Sequence, residues 1–291
     1  CLDFAGKLFL DPGDVVLCES PSYLGALNAF NAYQPNFVEV PTDNGGLIPE
    51  ELDKILSTTP NCKFIYVIPD FQNPTGRTWS MERRQKFMEV VNKHNLPVLE
   101  DNPYGELRYE GTILPSLKSM DTKGLVMFLG TFSKIFCPGL RLGWIAAEHS
   151  LLSEFVKIKQ SADLHTSNFD QGVADAYMEQ YDLDAHVKEI VALYKHRRDL
   201  ILESMEKYFP AGTEWTHPEG GLFLWLTFPE GVSARKVFNK CIEMKVAGVI
   251  GDAFYPNQKT DRSMRINYSN MPDDRIVEGI QRMAKAIKEC M

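Results

Sequence analysis

No apolar run in this chain approaches the ~20 residues that a membrane helix needs, which sets aside a spanning helix. Positive charge is in deficit: 31 Lys and Arg stand against 39 Asp and Glu, a formal net charge of -8. That balance argues against a nucleic-acid-binding surface in this portion of the protein. Cysteines are few and scattered, at 1, 18, 62, 137, 241 and 290, with no CxxC or CxxH pair. They read as reduced thiols of a cytoplasmic protein, and neither a structural zinc nor another metal site is expected. There is no initiator methionine and no signal-peptide opening. Leu2, Phe4, Ala5, Leu8 and Phe9 instead recur at helical spacing without a cap, as in a helix already under way, so an N-terminal piece is expected to precede Cys1. What is present is ordinary for a globular protein, 44% hydrophobic and 24% charged, and 291 residues suffice for one large and one smaller domain.

The stretch from Leu125 to Ala147, LVMFLGTFSKIFCPGLRLGWIAA, concentrates the chemistry. Residues 125–129 form an apolar run of the kind that makes a buried parallel strand, and the run stops at Gly130 and a hydroxyl-rich turn. Thr131 and Ser133 offer hydroxyls, Lys134 an amine and Arg141 a guanidinium, while Pro138-Gly139 folds the chain so that Arg141 can return toward the lysine. Hydroxyls, turn amides and a guanidinium together suit a phosphate. A partly desolvated lysine beside fixed positive charge has a lowered pKa, which an amine needs in order to attack a carbonyl. A phosphate pocket with an imine-forming lysine describes pyridoxal 5'-phosphate (PLP). Taken alone, the same turn is also a solvated surface turn.

Apolar runs at 15–18, 37–40, 63–68, 96–100 and 125–129 alternate with helical patterns such as 24–32 and the segment opened by Pro49-Glu50-Glu51. Such alternation predicts a mainly parallel, doubly wound sheet. Three runs end in polar clusters: Pro69-Asp70-Phe71-Gln72-Asn73-Pro74-Thr75-Gly76, Asp101-Asn102-Pro103-Tyr104, and the lysine turn. Ligands bind at the C-terminal strand edge of open α/β sheets, so Asn73, Asp101, Tyr104 and Lys134 are expected to share one crevice. A carboxylate such as Asp101 keeps a pyridine nitrogen protonated, and an amide and phenol such as Asn73 and Tyr104 hold the charge of a ring oxygen. Further on, helical patterns cover 151–162, 168–181 and 183–208. Beyond Pro210 come strands near 220–226, 246–250 and 263–268 and helices at 234–244 and 273–288, the texture of a smaller α+β domain.

Gly130-Thr131-Phe132-Ser133-Lys134 with Pro138-Gly139-Leu140-Arg141-Leu142-Gly143-Trp144, Asn73-Pro74-Thr75-Gly76, Asp101-Asn102-Pro103-Tyr104 and Gly220-Gly221-Leu222-Phe223-Leu224-Trp225 together resemble the class I/II aminotransferases. The likeness covers essentially the whole chain and is nearest the branch of 2-aminoadipate, aromatic and branched-chain aminotransferases. It implies a fold-type I PLP-dependent transferase with a PLP-binding large domain at 1–190, its first segment missing, and a small domain at 191–291. It further implies Lys134 as the Schiff-base lysine and proton carrier, Tyr23 stacked on the cofactor, and Asp101, Asn73, Tyr104, Thr131, Ser133 and Arg141 around it. Arg265, in Met264-Arg265-Ile266-Asn267-Tyr268, would pair with the substrate carboxylate, although an arginine alternating with apolar residues can also face solvent. Gly251 and Phe254 fit a loop bordering the substrate. The same likeness implies an amino-acid donor, a 2-oxo acid acceptor and a homodimer. Family members carry about a hundred further residues before this point, including part of the phosphate cup. Two alternatives share the scaffold: the PLP-sensing domain of a MocR-type regulator and a PLP-dependent C–S lyase.

Overall fold

Alternation along five short strands decides the layering. The computed structural model describes residues 1–257 and 260–291. A first helix, α1 (Leu2–Phe9), leads to β1 (Val15–Glu19), α2 (Leu24–Asn31), β2 (Asn36–Val40) and a tight hairpin of β3 (Thr42–Asp43) and β4 (Gly46–Leu47). Then follow α3 (Pro49–Thr58), β5 (Cys62–Val67), α4 (Met81–His94), β6 (Val98–Asp101), β7 (Val126–Thr131) and β8 (Gly143–Ala146). The sheet order is β2-β1-β5-β6-β7-β8, parallel throughout except for β8, which returns antiparallel beside β7. Successive side chains point to opposite faces. Val16, Phe64, Tyr66, Leu99 and Met127 therefore fill one layer with α1, α2 and α5 (His149–Asp163). Leu17, Ile65, Val67, Val98 and Val126 fill the other against α3 and α4. Both faces are covered, which is why these strands read as continuous apolar runs.

Helix α6 (Asn168–Gln180) precedes the 26-residue α7 (Leu183–Tyr208), whose first turn is capped by Asp182 accepting from the Ala185 amide at 3.0 Å. A four-stranded antiparallel sheet follows in the order β11-β12-β10-β9, built from β9 (Glu214–Trp215), β10 (Phe223–Thr227), β11 (Val249–Ile250) and β12 (Ser263–Asn267). Its helices are α8 (Ala234–Glu243) and α9 (Asp273–Cys290). Ile276, Ile280, Met283 and Ile287 of α9 lie at helical spacing in one core with Leu224, Leu226, Met264 and Ile266. The C-terminal half of α7 joins that core through Ile201 and Met205, while Ile190, Val191 and Tyr194 pack on Phe71, Tyr104 and Phe223 at the junction with the large sheet. No helix among the described residues is long and apolar enough to cross a membrane.

The reading from sequence passed over α4, β8, β9 and the small hairpin. Helix α4 has a clear cap, Ser80 accepting from the Arg83 amide, but its core side includes a fully buried arginine, Arg84, which breaks the apolar pattern. Arg84 is buried because Asp70 meets it at 2.7 Å.

Candidate active site

The turn after β7 is closed by its own hydroxyl and by β8. Thr131 Oγ1 lies 3.0 Å from the Leu142 carbonyl and 3.0 Å from Ser133 Oγ, and it accepts from the Ser133 amide at 3.1 Å. Pairing of Gly130 with Trp144 and of Thr131 with Gly143 then anchors both ends of the loop. The Trp144 ring lies over Gly130, where a Cβ would stand 2.2 Å from it, so a larger residue there would displace that ring. Arg141 takes a left-handed conformation, φ 56°, at the end of the Pro138–Leu140 turn, and its guanidinium donates to the Pro138 carbonyl at 3.0 Å. Lys134 is half-buried between these segments and has no ion-pair partner among the described residues. Burial lowers its pKa first, and the charges of Arg141 and Arg265 lower it further.

Asp101 closes β6, one strand over. Its Oδ2 accepts from the Tyr66 hydroxyl at 2.7 Å. Burial pushes the Asp101 pKa up to about 6, against the opposing influence of that hydrogen bond. Three residues on, the Tyr104 hydroxyl accepts from Asn73 Nδ2 at 3.3 Å. Asn73 Oδ1 in turn accepts from Arg265 Nη1 at 2.8 Å. The Arg265 guanidinium lies over the rings of Phe223, at 4.1 Å, and Phe254, at 5.1 Å. Its Nε is buried with no partner, and burial lowers its pKa.

The segment carrying Asn73 is held from β1. Glu19, buried at the end of that strand, accepts from the Ile68 amide at 3.0 Å and from Trp79 Nε1 at 3.2 Å. Gln72 donates to the Pro21 carbonyl at 2.8 Å, which ties the Asn73 segment to the turn bearing Tyr23. The Tyr23 ring rests where Gly25 has no side chain: a Cβ on Gly25 would stand 2.5 Å from it.

Tyr23, Asp101, Tyr104, Thr131, Ser133, Lys134 and Arg141 thus line one cavity of about 820 Å³. Asn73 and Arg265 are not in its wall and connect to it through Tyr104. The set matches the needs of PLP: an uncommitted amine, a buried carboxylate with one oxygen bonded, a phenol and amide in contact, and hydroxyls with a guanidinium for a phosphate. The orphaned Arg265 Nε suits a carboxylate acceptor. Sequence reading missed Tyr66, Glu19 and Gln72. A tyrosine inside the apolar run Cys62–Val67 was the available signal, because a buried hydroxyl must find a partner.

Residues 1–283 match the family model described as aminotransferase class I and II. Aromatic-amino-acid aminotransferase 1 of Thermococcus litoralis is 43% identical over 294 residues, covering 100% of this chain and 70% of that protein. A crystal structure of Pyrococcus horikoshii kynurenine aminotransferase in complex with PMP superposes with a TM-score of 0.96 at 42% identity, over 99% of this chain and 72% of that one. The α-aminoadipate aminotransferase LysN of Thermus thermophilus, complexed with N-(5'-phosphopyridoxyl)-L-leucine, gives a TM-score of 0.96 at 34% identity, over 99% and 75%. An uncharacterized HTH-type transcriptional regulator of Bacillus subtilis is 29% identical, over 95% of this chain and 57% of that protein.

Proposed function

Because the chain belongs to the class I and II aminotransferases, we propose that it moves the amino group of an L-amino acid of aromatic, 2-aminoadipate or branched-chain type to a 2-oxo acid such as 2-oxoglutarate. It is a PLP-dependent transaminase of fold-type I. The names of the Thermococcus and Thermus relatives support the aromatic and 2-aminoadipate choices of donor. The observation that carries the reading is that three adjacent parallel strands, β5, β6 and β7, end around one amine, Lys134, which no carboxylate neutralises among the described residues.

When bound, the cofactor supplies a carbonyl carbon that takes up the amino group and a ring that accepts electrons. Ser133, Thr131 and Arg141 would hold its phosphate, Tyr23 would cover its ring, and Asn73 with Tyr104 would meet its ring oxygen. The Asp101 carboxylate would retain the proton on the ring nitrogen. Arg265 presents a planar fork to the carboxylate of the amino acid, already oriented by Asn73 and the two aromatic rings. Lys134, its pKa lowered by burial and by Arg141 and Arg265, would take the proton from the α-carbon and return it at the other end of the transfer.

The regulator reading is weakened by its lower identity and by the smaller share of such a protein that the chain spans. A cytoplasmic location and a homodimer belong to the same reading. Phe169, Val173 and Met178 of α6 and Tyr181 just after it stand exposed and support the second of these. A domain boundary inside α7, expected at 190/191, belongs to the same reading; Ile190, Val191 and Tyr194 pack together at the junction and the small-domain core takes over from Leu200, which favours a break some residues later.

The test is the visible absorbance of the PLP-loaded protein, before and after each of a panel of amino acids, beside a Lys134→Ala variant. Aromatic or 2-aminoadipate donors are expected to shift the band, and the variant to lose all turnover. Turnover at the parent rate in Lys134→Ala would overturn the assignment. Pyruvate release from cystathionine with an unshifted band would favour the lyase.

A further inference from the structure

The Tyr66–Asp101 hydrogen bond, 2.7 Å long, is not used by the transamination reading above. Tyr66 is fully buried near the C-terminal end of β5, edge-on to Phe30 at 5.8 Å. Its register partner on β6 is Leu99, two residues before Asp101 and therefore on the same face of the sheet. The ring thus runs one step along that face, and its hydroxyl reaches the carboxylate at the strand end. Phenylalanine would fill the same apolar layer with no polar group to satisfy, so the hydroxyl itself calls for an explanation.

We propose that Tyr66 is the positioning residue of Asp101: it occupies Oδ2, leaves Oδ1 for the cavity that Asp101 lines, and keeps the carboxylate ionised opposite the cofactor's ring nitrogen. The proposal rests on Asp101 being the partner of that nitrogen. Among the groups that share the cavity with the carboxyl, Tyr23 precedes α2 and Tyr104 follows β6. Burial is the main influence raising the Asp101 pKa, and the Tyr66 hydrogen bond is the first of those opposing it. Burial and the neighbouring carboxylate push the Tyr66 hydroxyl itself far above its ordinary range, so it remains a donor. Without it the carboxylate is more basic and draws the ring-nitrogen proton toward oxygen.

The experiment loads the protein with ¹⁵N-labelled PLP and follows the ring-nitrogen resonance against pH in the parent, Tyr66→Phe and Asp101→Asn. Tyr66→Phe is expected to move the resonance toward the unprotonated position and to lower kcat by about 10- to 100-fold, with the KM for the amino acid little changed. Replacing Tyr66 by 3-fluorotyrosine, a stronger donor of the same shape, is expected to move the resonance the opposite way, and it stands in if Tyr66→Phe does not fold. If Asp101→Asn shifts the resonance while both changes at Tyr66 leave it at the parent position, Tyr66 is only core filling and the proposal fails. If Asp101→Asn itself leaves the resonance unmoved, the role given to Asp101 is what fails.

Discussion

Arg265 carries its charge into a half-buried seat where no carboxylate meets it among the described residues. Asn73 takes one nitrogen at 2.8 Å, two rings cover the guanidinium, and Nε is left without a partner. A guanidinium so held is pre-oriented for a bidentate acceptor, and lysine cannot reproduce that fork. Arg265→Lys is therefore expected to raise the KM for the amino acid by about 10- to 100-fold, the worth of charge-assisted hydrogen bonds. Steady-state kinetics at fixed PLP saturation measure it, and an unchanged KM would remove Arg265 from the substrate. Lys134 gives a second test at this scale. Its pKa is lowered by burial and then by Arg141 and Arg265, so Arg141→Gln takes away one of two cations and the amine pKa should rise. The amine is then protonated up to a higher pH, and the acid limb of PLP capture by the unloaded protein should move alkaline. That Asp101, Tyr104 and Lys134 share one crevice was legible because each stands at the end of an apolar run, whereas Asn73, expected beside them, sits behind Tyr104 and outside the cavity wall. Tyr66 and Glu19 were not legible, because what makes them matter is a partner 35 or 49 positions away.

Elements were legible in proportion to how uniform their surroundings are. β5, β6 and β7 are buried on both faces and read as apolar runs, and α9 shows its stripe openly. β8 is a four-residue edge strand defined only by pairing back on β7, and α4 hides a buried ion pair in its core side. One junction between elements makes a sharp prediction. Gly220, just before β10, sits where a Cβ would be 2.3 Å from the Phe71 ring and 2.4 Å from the Leu107 carbonyl oxygen. The ring can turn but the carbonyl cannot, so Gly220→Ala is expected to cost about 1–3 kcal/mol in a urea melt. Glu19 makes another. Burial raises its pKa to about 7 from 4.5, and Glu100 behaves alike. Between these values the native state binds more protons than the unfolded chain. Stability from these groups is full below the lower value and is lost as pH rises through the higher one. Glu19→Gln should flatten that decline by about one proton's worth of slope, measured as denaturation midpoint against pH, while lowering stability because its one oxygen can accept from either Ile68 or Trp79 and its NH2 then faces the other donor.

At the scale of the whole molecule, two cores meet along α7, and the proposed catalytic and substrate-binding residues straddle them: Lys134, Asp101 and Tyr104 follow or close strands of the large sheet, and Arg265 lies on the small one. One surface remains unaccounted for by either core. Helix α6 buries only Ala174 fully, while Phe169 is 78% and Tyr181 62% exposed, with Val173 and Met178 also open to solvent. Leu164 stands exposed just before the helix, and Trp144 lines a groove with Met178. An apolar surface on this scale marks an interface, and a second copy of the chain is the occupant that the proposed homodimer supplies. Phe169→Asp would place a charge in that interface without touching a core, since the side chain meets solvent in the single chain. The parent is expected to sediment as a dimer and the variant to shift toward monomer with its thermal melt preserved up to the loss of association. A parent that sediments as a monomer at all concentrations, or a variant that dimerises as tightly, would leave α6 without a role in self-association.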